Sequence, residues 1–282
     1  MKKFSKMSII LMIMALILVF TGCGQKVESG DVNNGTNEGD NVDVEVASKI
    51  DAIKAAGKIV LGTSADYPPY EFHKEVDGKD TIVGFDIEIA KEIAKDLGVE
   101  LEIKDMDFDG LILALNADKV DFVLAGMTPD PERDVEFSQI YYKALQGVVI
   151  KADNKDVYKT VEDLTGKKIG AQKGAIQEKI AVSEIKDLEL KALAKIPDLV
   201  LEVKHNKIDA VVMEKPVAEA YADRHDDLML MDLTFEDAEG GSAVAIKKGN
   251  TDLVEVINKT LDRLMEDGSV DKYVVEAIEM VD

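Results

Sequence analysis

From about residue 47 onward the chain alternates short β-branched runs with stretches of helical periodicity, and no other feature restricts its fold as much. The runs are Ile59 to Leu61, Val120 to Leu124, Val148 to Ile150, Asp209 to Met213 and Ala243 to Ile246. The clearest helical stretch is DIEIAKEIAKDLGV, residues 86–99. There Ile87, Ala90, Ile93, Ala94 and Leu97 form one apolar stripe, and Gly98 stands where a helix should stop. Strands that alternate with helices pair in parallel and carry the helices on their faces, so the expected fold class is α/β. The closing LDRLMEDG and DKYVVEAIEM read as two amphipathic helices.

A faint internal echo adds topology. Gly57-Lys58 opens a strand ending at Gly62, and Gly166-Lys167 opens another ending near Gln172. Lys119-Val120-Asp121 leads into FVLAG, and 88 residues later Lys207-Ile208-Asp209 leads into AVVME. Two similar units predict two similar lobes. Ligands of open α/β sheets bind beyond the carboxyl ends of the strands, so facing lobes would bring four loops into one cleft.

Those loops hold the candidate residues. SADYPPY, 64–70, is stiffened by paired prolines and displays Tyr67 and Tyr70. AGMTPDPER, 125–133, offers free backbone amides, the Thr128 hydroxyl and Arg133, whose planar fork suits a carboxylate. In QKGAIQE, 172–178, Gly174 opens a helix whose first amides suit an anion. Glu214 closes the fourth strand, with Pro216 following. Each has a plain alternative, as surface ion pair, turn or helix cap. Their joint position at strand ends favours a site for a zwitterion, with the Arg and helix-start amides for an anion and the carboxylate for a cation.

Upstream, Lys2, Lys3 and Lys6 precede twelve uninterrupted apolar residues, Ile9 to Phe20. That run is too short to span a bilayer, which takes about 20 residues, but it suits the core of a secretory signal. It ends in Thr21, Gly22 and Cys23, which resembles the bacterial lipobox, with Phe20 where Leu is usual. Residues 1–22 are therefore expected to be removed and Cys23 lipidated; an ordinary signal peptide or uncleaved anchor is the competing reading. Residues 23–46 then form a tether rich in Gly, Asn, Asp and Glu, whose ends as a flexible coil would lie roughly 25 to 30 Å apart.

The 282 residues carry 56 acids against 34 bases, a net charge of −22, which argues against a nucleic-acid partner. A single Cys excludes an intramolecular disulfide and a Cys-rich metal site. His73, His205 and His225 lie in polar stretches outside the four loops, and no nucleophile–His–acid, metal-ligand or phosphate-loop spacing appears. A binder without cofactor or metal is expected rather than an enzyme.

In order and spacing, GTSADYPPYEF (62–72), GFDIEIAKEIAKDLG (84–98), MDFDGLILAL (106–115), KVDFVLAGMTPDPER (119–133), FSQIYY (137–142), DLTGKKIGAQKG (163–174), KIDAVVMEKPVAEAY (207–221) and AVAIKKGN (243–250) resemble the extracellular solute-binding proteins of polar amino-acid ABC importers. The resemblance implies a two-lobed periplasmic-binding-protein-like type II fold. Lobe 1 would be 47–142 plus 242–282 and lobe 2 would be 148–236. Hinge crossings would lie at 143–147 and 237–241, where Gly147, Gly240 and Gly241 would absorb rotation. It implies a monomer, held at the outer face of the membrane by its lipid, that passes its ligand to a permease. By resemblance Arg133 would pair with the ligand carboxylate, helped by the backbone amides of Thr128 and Ile176, with Met127 and Ala175 adjoining. Glu214, the Thr128 hydroxyl and the Gly126 carbonyl would hold the ammonium. Tyr67 and Phe108 would flank the ligand side chain, and Ser64 and Gln172 would line the far end. Relatives commonly carry Asp at the place of Glu214 and Thr at Ala175 and Ile176, so here only backbone amides serve at the helix start. The aromatic pair favours arginine or lysine over glutamine or cystine. Ser64 stands where relatives that select cations often place an acid, and Asp66 and Glu71 are the acids left in that loop, with solvent exposure the alternative for each. A prephenate or arogenate dehydratase on the same fold and a sensor module are the competing functions.

Overall fold

The computed structural model of the chain describes residues 48–235 and 240–281. The expected leader, Cys23 and tether lie outside the described residues, as do positions 237–239 of the second crossing.

Two five-stranded sheets carry the fold, and they share one plan. In spatial order the first is Glu100–Asp105, Lys58–Thr63, Phe122–Val123, Ser242–Ile246 and Glu136–Tyr142. The second is Glu189–Leu193, Lys168–Gln172, Ala210–Glu214, Gln146–Lys151 and Leu228–Phe235. In both, the first three strands are parallel and the fourth runs antiparallel to its neighbours. The chain leaves each sheet along its edge strand and enters the other along the fourth strand. A three-stranded antiparallel sheet, Asp66–Tyr67, Glu71–Val76 and Lys79–Val83, sits beside the first.

The sequence echo has a physical cause. Asp121 donates its amide to the Val60 carbonyl at 2.8 Å, and its carboxylate accepts the Val60 amide at 2.8 Å. Asp209 repeats this on Lys168, at 2.7 and 2.9 Å. In each lobe a Lys-apolar-Asp step therefore clips the third strand to the second. The strands Gln146–Lys151 and Ala210–Glu214 are almost wholly buried along their length, as sheets covered on both faces require.

The stripe predicted around Ile87 belongs to the helix Phe85–Leu97, where Ile87, Ala90, Ile93, Ala94 and Leu97 are all buried and Gly98 ends the helix at φ 72°. Its start decides more. Gly84 has φ 130°, and a Cβ there would lie 2.1 Å from the Tyr70 carbonyl oxygen. Only glycine lets the chain pass so close, and the next two amides, of Phe85 and Asp86, then donate to the carbonyls of Pro69 and Tyr70. The helix is thereby docked on the proline loop, whose Pro68–Pro69 peptide is cis. The expected C-terminal helices are Thr251–Glu266 and Ser269–Met280, packed against Phe85–Leu97.

The first crossing is shorter than the expected 143–147, because Gln146 and Gly147 already belong to a strand. Gly147 lies within that strand, paired with Met213, and a Cβ there would press on the end of the Leu230 side chain at 2.9 Å. Lys143 to Leu145 are left between the strands. Gly240 and Gly241 precede Ser242–Ile246, and Gly241 has φ 142°.

Candidate functional site

The carboxyl ends of the parallel strands in both sheets meet around one narrow cavity of about 10 Å³. Tyr67, Phe108, Gly126, Thr128 and Arg133 line it from the first sheet's side, and Gln172, Ala175 and Ile176 from the second's. Ala125 and Gln177 join them. The space is about the room of one water molecule, far below the roughly 300 to 1,000 Å³ typical of small-molecule sites, so the two sets of loops are closed on one another here.

Arg133 dominates the site's electrostatics. Its Nη1 donates to the Thr128 carbonyl at 2.6 Å and its Nη2 to the Gly174 carbonyl at 3.0 Å, across the two sheets. Its guanidinium carbon stands 5.6 Å from the centre of the Phe108 ring. Both hydrogen-bond partners are neutral, and no carboxylate among the described residues forms an ion pair with it. Burial pulls its pKa down, with Asp130 opposing. A half-buried cation whose hydrogen bonds end on neutral carbonyls is only partly compensated, and an incoming carboxylate would relieve that cost.

Two further groups await partners. The Thr128 hydroxyl is buried without a hydrogen bond among the described residues. The helix Ile176–Glu184 begins at Ala175 with no side-chain cap; the Glu178 amide donates to the Ala175 carbonyl at 3.3 Å, which leaves the amides of Ile176 and Gln177, both lining residues, for a ligand. An uncapped helix start is an anion site by its free N–H groups and its dipole.

Gly126 has φ 54°, and a Cβ there would lie 3.2 Å from the Tyr67 ring. Its amide donates to Asp86 Oδ2 at 2.9 Å, and Tyr141 Oη donates to Asp86 Oδ1 at 2.7 Å. Asp86 thus braces the floor from beneath. Burial raises its pKa to about 6, and burial raises neighbouring Glu71 well above the usual carboxylate range, with Asp86 adding to it.

Three candidate residues stand outside the cavity lining. Met127 is fully buried in the apolar cluster that contains Phe108 and Leu111. The Ser64 hydroxyl turns away to Asp66 at 3.2 Å. Glu214, 2% exposed, takes a hydrogen bond from the Tyr70 hydroxyl, and its amide donates to Tyr67 Oη at 3.2 Å. Glu reaches one methylene further than Asp, and in this arrangement that reach ends on Tyr70. Burial together with the Glu214 charge raises the pKa of both tyrosines well above 10.

Sequence reasoning did not single out Gln177, which lines the cavity and bonds Gln146 Oε1 at 2.9 Å. A polar residue in the first turn of an uncapped helix was the available signal. Asp66 and Glu71 are buried rather than solvent-exposed, at 9% and 0% exposure. His73 instead sits on the exposed surface with Asp80 at 2.9 Å, away from the cavity.

Around the rim the sheets are joined by lysines of one side and acids of the other. Lys179 pairs with Asp130 and Glu132, both at 2.7 Å, Lys173 with Asp109 at 2.7 Å and Lys195 with Asp107 at 3.3 Å. Such solvent-facing pairs contribute little each, about 0 to 1 kcal/mol, but all pull in the closing direction. Two more voluminous crevices, about 450 and 410 Å³, are lined by neither Arg133 nor Thr128 nor the helix start.

Comparison with known proteins agrees with this geometry. Residues 59–276 match the model of the bacterial extracellular solute-binding proteins, family 3. The arginine-binding extracellular protein ArtP of Bacillus subtilis is 41% identical over 222 residues, which is 76% of this chain and 84% of that protein. Among solved structures, an amino acid ABC transporter substrate-binding protein, AbpA of Streptococcus pneumoniae, bound to L-arginine, superposes with a TM-score of 0.79 at 40% identity, covering 82% of this chain and 98% of that one. An ancestral amino-acid-binding protein described as a precursor of cyclohexadienyl dehydratase superposes at 0.74 with 34% identity, covering 82% of this chain and 100% of that one.

Proposed function

Since the chain belongs to the bacterial extracellular solute-binding proteins, family 3, we propose that it captures an amino-acid zwitterion between its lobes, arginine before lysine, and hands it to an ABC permease. The observation that carries this reading is Arg133, a half-buried guanidinium lining the cavity whose hydrogen bonds go only to carbonyls. The ligand carboxylate would take its fork, aided by the backbone amides of Thr128 and Ile176. The ammonium would sit by the Gly126 carbonyl and draw the Glu214 carboxylate from Tyr70. Tyr67 and Phe108 would flank the side chain, where an aromatic face adds about 0.5 to 2 kcal/mol for a cation. The arginine named for the Bacillus and Streptococcus relatives supports the choice of ligand.

Capture is favoured over catalysis. Closure would follow from ligand contacts to both lobes, the differential affinity that a population shift requires. The protein would be held at the outer membrane face through lipidated Cys23, with the lobes at 47–142 plus 242–282 and 148–236. Thermal-shift and calorimetric titration with the twenty amino acids and cystine test the reading. Arginine and lysine are expected to stabilise most; stabilisation by glutamine or cystine alone ends the cationic preference. Turnover of prephenate or arogenate to an aromatic product would support the enzyme instead.

A further inference from the structure

At one end of the cavity Gln172 presents its side chain, and its neighbours dictate how the amide is turned. Nε2 faces Asp66 Oδ1 at 3.5 Å and the Ala194 carbonyl at 3.3 Å. Neither a carboxylate nor a peptide carbonyl has a proton to give, so this orientation is chemically forced. Both N–H bonds are thereby directed away, and Oε1, which meets no donor among the described residues, is left as the polar atom for the cavity.

The same carboxylate takes the Ser64 hydroxyl at 3.2 Å and is pinned by the Ile196 amide at 3.0 Å on Oδ2. Asp66 is buried and does not itself line the cavity. Its charge therefore reaches the cavity through Gln172, in surroundings where water screens it poorly.

We propose that Asp66 is the specificity-determining positioning residue of this cavity. By holding the donors of Gln172, it makes that end of the cavity an acceptor surface, which selects a guanidinium or ammonium side chain over an amide. A glutamine or citrulline side chain would bring its own carbonyl against Oε1, and a site built for donors rejects an isostere that lacks them. The inference rests on the reading of the cavity as an amino-acid site.

Calorimetric titration of the purified protein with arginine and with citrulline tests it, because citrulline keeps the length and replaces the guanidinium by a neutral ureido group. Wild type is expected to bind arginine about tenfold tighter or more, one charge-assisted hydrogen bond in favour. Asp66→Asn keeps an acceptor for Ile196 but turns an NH₂ toward Gln172. The arginine-to-citrulline ratio is then expected to fall by about tenfold, with citrulline affinity little changed. If both ligands weaken in proportion, Asp66 only braces the lobes and the proposal is overturned. Gln172→Met, which keeps the length and removes the carbonyl, carries the same expectation if Asp66→Asn fails to melt cooperatively, and a proportional loss there overturns it too. Wild type that binds citrulline as tightly as arginine also overturns it. Wild type that binds no amino acid defeats the underlying reading of the cavity instead.

Discussion

Replacing Arg133 by Met isolates the group on which the site depends. Methionine keeps an unbranched stem to lie against Phe108 and removes only the charged fork. A ligand carboxylate held bidentately gains two charge-assisted hydrogen bonds of about 1.5 to 3 kcal/mol each. Their loss is about 3 to 6 kcal/mol, a factor of roughly 10² to 10⁴ in dissociation constant. A second contribution is independent of ligand. The variant also strips the carbonyls of Thr128 and Gly174 of their donors, and the second of these bonds joins the two lobes. Melting the ligand-free protein measures that part separately. Calorimetry with arginine, lysine and glutamine should show the loss for all three, since the carboxylate is common to them. Wild-type affinity in Arg133→Met refutes the assignment. A loss confined to one ligand refutes it equally, because Arg133 would then face a side chain.

Two further outcomes follow from groups beneath the cavity. Burial raises Asp86 from 3.8 to about 6 and raises Glu71 as well, so between about pH 4 and pH 6 the folded chain holds protons that the unfolded chain has released. Stability should therefore fall as pH rises through that window, by about 3 kcal/mol for Asp86. Urea midpoints across it should drop in wild type and change less in Asp86→Asn; an equal slope in the variant rules Asp86 out as the cause. Gly126→Ala puts a Cβ 3.2 Å from the Tyr67 ring at φ 54°. It should cost about 1 to 2 kcal/mol and weaken ligand binding, whereas Gly110→Ala, where a Cβ meets nothing within 4 Å, should leave binding unchanged. Equal effects of the two in melting and titration would refute the close-approach argument.

The α/β alternation was legible because burial on both sheet faces demands continuous apolar strands such as Val148 to Ile150, while one-sided burial demands the Ile87 stripe. The echo of Asp121 and Asp209 was legible because each aspartate acts within its own lobe, on the strand beside it. Most of the candidate cavity was legible for a related reason: parallel strands expose their carboxyl-end loops at one edge, and those loops carry Tyr67, Thr128, Arg133 and Ile176. Gly147 shows where this fails. As a sequence element it reads as loop, and its place inside a strand is set by pairing with Met213 and Thr234.

What the sequence determined alone, then, is what periodicity and short-range chemistry settle: the fold class, the two-unit plan, the strand-end loops and the identity of the cation within them. The tertiary structure decided what each polar side chain faces. Asp66 reads as an exposed loop acid until Ile196, 130 residues away, covers it, and Glu214 reads as an open carboxylate until Tyr70, 144 residues away, takes it. The charge state and orientation of a buried group depend on its neighbours across the fold, and residue type alone does not name them.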